Sequence, residues 1–98
     1  MERERLELLA QVRPAGDALR ALGAREAFIF GSILRPYLFD RASDIDILVV
    51  GIPDEVLLRA LGVVERATGI VEREINLVFD QMASEELVLE ARRTGVAL

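Results

Sequence analysis

The stretch Phe28-Ile29-Phe30-Gly31-Ser32, continued by the link Ile33 to Ser43 and by Asp44-Ile45-Asp46-Ile47-Leu48-Val49-Val50, decides the fold. It reads as a strand, a glycine turn, an irregular or short helical link, and a second strand. The first strand, Ala27 to Phe30, is continuously apolar, as suits a strand covered on both faces. The second opens on two aspartates and continues apolar. Side chains alternate across a strand, so Asp44 and Asp46 share one face while Ile45 and Ile47 share the other. Two residues along a strand span about 6.6 Å between Cα atoms, so both carboxylates can reach one divalent cation or a pair of cations. Left without a cation, neighbouring carboxylates repel. The pattern points to a metal site. Gly31 permits close backbone approach, and Ser32 offers a hydroxyl and an amide where a helix N-terminus would favour an anion. The pair points to a phosphate site beside the acids, although Gly-Ser by itself reads better as a plain strand-to-helix turn with a serine cap.

Composition narrows the chemistry. The 98 residues fit one small domain, residues 1–98, with a modest core. The chain has no cysteine and no histidine, which excludes disulfides, thiolate zinc and imidazole bases. The available metal ligands are carboxylates, carbonyls and hydroxyls, which suit hard cations such as Mg²⁺ or Mn²⁺. A net charge of −5, with 12 basic and 17 acidic residues, makes the domain a poor candidate for tight nucleic-acid binding. No leader-like apolar region follows the charged start Met1-Glu2-Arg3-Glu4-Arg5, and no run is long enough to span a membrane. A cytoplasmic location is the expectation.

Outward from the central stretch, the apolar residues of Met1 to Leu22 recur at helical spacing through Leu6, Leu9, Val12, Leu19 and Leu22. Pro14 predicts a kink or a split into two helices near Arg13-Pro14, and Gly23 a stop. Arg3 and Arg5, among Glu2, Glu4 and Glu7, read as a solvated face. In the link, Arg35 can form a bidentate contact with a triphosphate or stand as a surface arginine. After the turn at Gly51-Ile52-Pro53-Asp54, the stripe Val56, Leu57, Ala60, Leu61, Val64 and Ala67 predicts a core-facing helix ended by Gly69. Val71 to Phe79 reads as a strand, with Ile75, Leu77 and Phe79 on one face and Glu74, Asn76, Val78 and Asp80 on the other. Ala83 to Arg93 reads as a final helix capped by Ser84, and Val96-Ala97-Leu98 as a short strand. The expectation is an α/β (α+β) fold, a small mixed sheet with helices packed on one face and the site on the other.

Gly31-Ser32 followed by Asp44-x-Asp46 resembles the signature of the DNA polymerase β-type nucleotidyltransferase superfamily, and the short chain is most similar to its minimal nucleotidyltransferases. The likeness runs from the N-terminal helix through both motifs and the strand Ile75 to Phe79 to Thr94-Gly95-Val96. The resemblance implies Mg²⁺-dependent transfer of a nucleoside monophosphate, AMP from ATP, to a protein or other hydroxyl acceptor. Asp44 and Asp46 would hold the metal, with Gly31, Ser32, Arg35 and Ser43 around the nucleotide. Ser43 matches the family's Ser-Asp-x-Asp form, where it either orients the carboxylate or ends the loop. The resemblance also implies a small helical HEPN-domain protein as partner, in an antitoxin–toxin pair.

Two departures stand out. The link Ile33 to Ser43 is one residue longer than usual, and it has Pro36 and no glycine, whereas the family tends to place a glycine in that link. The third catalytic carboxylate falls, by its neighbours Ile75 and Leu77-Val78, on Asn76, which is neutral and cannot act as a base. Glu74, one pleat earlier on the same face, is the candidate stand-in. Should it not serve, the alternative is a catalytically silent nucleotide- or partner-binding module.

Overall fold

A computed structural model describes residues 2–98; Met1, included in the expected N-terminal helix, lies outside the described residues. Helix α1 spans Glu2–Val12 and α2 spans Pro14–Ala21, so the proline divides the two helices. Pro14 takes the first position of α2, where its missing N–H costs nothing. Strand β1 is Glu26–Phe30, β2 is Ile45–Val50, α3 is Leu57–Thr68, β3 is Ile75–Phe79, α4 is Glu85–Thr94 and β4 is Val96–Ala97. The last part of the expected third strand, Ile75 to Phe79, is extended and paired, whereas Val71 to Glu74 precede the sheet, with Val71 exposed.

The sheet order is β3-β2-β1-β4. Strands β1 and β2 are antiparallel, with Phe30 opposite Asp46, and β4 adds antiparallel to β1. Strands β2 and β3 are parallel, with Asp46 beside Asn76. A parallel pair needs a crossover, and α3 supplies it. The fold is mixed α/β.

Alternation along the strands creates two unlike faces. Ala27, Ile29, Ile45, Ile47, Val49 and Ile75 face the main core, with Leu8, Val12, Ala15 and Leu19 of α1 and α2 and Ala60 and Val64 of α3. Three helices therefore cover one face, as expected. The fourth takes the other: Ala91 of α4 packs with Leu48 and Val50, flanked by Phe28, Phe30, Val78 and Val88. The Ser84 hydroxyl caps α4 by accepting from the Leu87 amide at 3.1 Å.

Two helical stripes are rotated from the expected phase. Leu8, not Leu6, turns inward on α1, and Leu6 is exposed. On α3 the buried positions are Ala60, Val64 and Thr68, while Leu61 of the expected stripe is exposed. Thr68 is buried without penalty because its hydroxyl donates to the Val64 carbonyl at 2.9 Å. Gly69 then ends α3 in the left-handed conformation, φ 68°.

Candidate active site

The two acids sit where β2 begins. Asp44 immediately precedes the strand, Asp46 is its second residue, and both are half-buried on the α4 side of the sheet. Helix α4 covers Leu48 and Val50 farther along β2, so the start of the strand keeps an open face. From the neighbouring strand, the Asn76 amide nitrogen donates to Asp44 Oδ2 at 3.1 Å and to Asp46 Oδ1 at 3.2 Å. Each of its two N–H groups has one carboxylate to meet.

Gly31 closes on the same carboxylate from the other side. Phe30 lies opposite Asp46 in the antiparallel ladder, which brings the following glycine against the aspartate. Its backbone has φ 85° and ψ −155°, and a Cβ built there would collide with Asp46 Oδ2. Only glycine meets both conditions at once. Asp46 thus accepts from the Asn76 amide through one oxygen, and its other oxygen lies against the Gly31 turn, in the space a Cβ would need.

Ser32 is half-buried and opens a single 3₁₀ turn, Ser32–Leu34, rather than an α-helix. So short a turn sums no helix dipole, and what Ser32 offers an anion is its own hydroxyl and amide. Arg35 ends this turn with its side chain exposed and forms no ion pair among the described residues. Of the two roles open to Ser43, the structure has the loop-ending one: its hydroxyl accepts from the Asp40 amide at 3.0 Å and donates to Asp40 Oδ1 at 3.2 Å. Glu74 is exposed, and it is its carbonyl that engages β2, accepting from the Ile45 amide at 2.9 Å. Among the described residues, no three acidic side chains converge on one point.

Two arginines that seemed unremarkable in the sequence hold the link in place. The Arg73 side chain is only 3% exposed and ion-pairs with Glu4 at 3.5 Å. It donates to the Asp40 and Ser43 carbonyls, both at 2.8 Å, and its guanidinium lies 4.5 Å from the centre of the Phe39 ring. Arg5, expected on a solvated face, instead donates to the Ile33 carbonyl at 2.8 Å. Glu2 steadies Arg5 from outside, and that hydrogen bond holds the Glu2 carboxyl below the usual glutamate range. The link between Gly31 and Asp44 is therefore fastened at its start, by Arg5, and at its end, by Arg73.

The donor set at the acids is entirely hard: two carboxylates and the amide oxygen of Asn76, with the Ser32 hydroxyl following Gly31 in the chain. Between the carboxylates lies the positive end of an amide dipole, the kind of charge a cation would bring in greater measure. The residues fit a Mg²⁺ or Mn²⁺ ion. Compared with known proteins, the chain matches no family model and no curated sequence.

Proposed function

We propose that this domain is a Mg²⁺-dependent nucleotidyltransferase of the minimal type, acting on a nucleoside triphosphate, ATP, and a hydroxyl acceptor. The observation that carries the reading is the seating of Asp46, beside Asp44 on one strand face and wedged against the Gly31 turn. A pair of carboxylates bridged by a neighbouring amide and set against a glycine turn suits a metal-bound phosphate site. Asp44 and Asp46 would hold the cation, which when bound neutralises phosphate charge and acidifies the attacking hydroxyl. Gly31 and Ser32 would receive the terminal phosphates, and the exposed Arg35 would approach them from the link. In the reaction the acceptor oxygen bonds to the α-phosphorus, the bond to pyrophosphate breaks, and the acceptor proton leaves. Asn76 cannot take that proton, so it passes to solvent or to a group on the acceptor. Such an acceptor accords with a small helical HEPN-domain partner and with a cytoplasmic setting. No helix among the described residues is long and apolar enough to cross a membrane.

A second reading has its own observation. Because a neutral amide occupies the third position, the domain is alternatively a silent module that binds nucleotide and partner without transfer. Incubation with α-labelled ATP and Mg²⁺ or Mn²⁺, with and without the HEPN partner, separates the two. Label on the partner supports transfer; stable association without label supports the silent module. The double variant Asp44→Asn, Asp46→Asn is expected to lose Mg²⁺-dependent ATP binding by at least tenfold while remaining folded. Unchanged binding in isothermal titration would sink the site assignment under both readings.

A further inference from the structure

Asn76 is the side chain whose amide meets both acids, and what it does there depends on which end faces them. The nitrogen faces them in this structure, at 3.1 and 3.2 Å. Two carboxylates on one strand face repel one another, and a shared N–H₂ group offsets that repulsion. The oxygen and nitrogen of a carboxamide have nearly the same shape, and rotation about the bond that carries the amide exchanges them. That torsion is broad and roughly two-fold. A half-turn therefore replaces two donors with a carbonyl oxygen, a ligand that Mg²⁺ and Mn²⁺ accept.

Resting on the cation–nucleotide reading above, we propose that Asn76 is a two-sided ligand that limits the site to one divalent cation. Its N–H₂ group holds Asp44 and Asp46 together when the site is empty, and its Oδ1 joins them when a cation enters. Anionic ligands set the count. Asp44 and Asp46 are the two carboxylates of the group, and a first divalent cation takes both together with the triphosphate. Asn76 adds only a neutral oxygen, so a second cation finds no further side-chain carboxylate to hold it, as it would with an acid at position 76. Glu74 does not supply it here, being exposed and outside the group formed by Asp44, Asp46 and Asn76.

Mn²⁺ titration of the full chain with a non-hydrolysable ATP analogue, read by electron paramagnetic resonance, tests the count. One Mn²⁺ per chain is expected for the wild type and two for Asn76→Asp. Two on the wild type would overturn the inference and leave the nucleotide reading standing, and a fall to one in Glu74→Gln would identify Glu74 as the third acid. No Mn²⁺ at all would overturn both. The empty state has its own readout. In EDTA, Asn76→Asp should melt roughly 5 °C below the wild type, a shift typical of small destabilisations in domains of this size. With saturating Mg²⁺ and analogue the deficit should close. Equal melting in EDTA overturns the holding role. If that variant does not fold, the wild-type Asn76 side-chain amide signals in ¹⁵N spectra still decide. They should shift on Mg²⁺ saturation, and unmoved signals overturn the half-turn.

Discussion

The two faces of β2 follow opposite rules. Ile45, Ile47 and Val49 point into a core closed by three helices, and all are fully buried. Asp44, Asp46, Leu48 and Val50 point the other way, where α4 shelters only the last two. One face is finished by packing; the other is finished for half its length and left with two acids and an amide for the rest. A single strand thereby anchors the domain and presents the site. The core face fixes the position of the acids to within the rigidity of a packed interior, and the other face leaves both carboxylates partly exposed.

The comparison is broken most forcefully from the closed side. Ile47 is wholly buried and lies next to Asp46 in sequence but across the sheet from it. Ile47→Ala should cost about 3 kcal/mol of stability through lost burial and the cavity left behind. Urea denaturation measures it. At temperatures where the variant stays folded, its Mn²⁺ stoichiometry should match the wild type. A changed count would mean that the two faces are coupled and that the division between scaffold and site is too sharp.

Much of this was legible before the structure. A period of two placed Asp44 and Asp46 together and separated them from Ile45 and Ile47, because a strand leaves side chains no other choice. The same rule put Asn76 on the acid face of its strand, and the parallel register with β2 then brought it beside Asp46. Helices were harder. The phase of a stripe depends on the neighbour it packs against, so Leu6 and Leu61 looked as apolar as the residues that are buried. Arg73 was invisible as a fastener, since an arginine next to an acidic run reads the same whether solvated or folded under a loop. Ser43 was open to two readings, and its pairing with Asp40 is made by the turn, a local geometry that the motif does not encode.

Arg73 sharpens the contrast from the link, which belongs to neither face. Its guanidinium is nearly inaccessible and bonds two carbonyls of the loop that leads into Asp44. Arg73→Ala should cost about 2 kcal/mol, because two charge-assisted hydrogen bonds to loop carbonyls are lost and the Asp40 carbonyl keeps only the Ser43 amide. Unlike the Ile47 change, it should also weaken ATP-analogue binding several-fold in calorimetry, because the link carries Arg35 and begins directly after Ser32. Full retention of affinity would show that the link can be loosened without disturbing the phosphate contacts.

The smallest effect on stability should fall at Gly31, and the largest on the site. Alanine there must accept φ 85° and push its methyl group against the Asp46 carboxylate. The backbone strain should cost about 1–2 kcal/mol, less than the core substitution, because the turn can relax toward solvent. Relaxation has a consequence on the acid face: Asp46 must rotate away, and one of its oxygens is the acceptor that Asn76 uses. Gly31→Ala should therefore melt only a few degrees low yet lose most of its Mn²⁺ affinity, the reverse of Ile47→Ala. If both variants lost stability and affinity in the same proportion, the acids would owe their placement to the fold as a whole. If the proportions invert, as expected, the glycine turn itself aims the carboxylate.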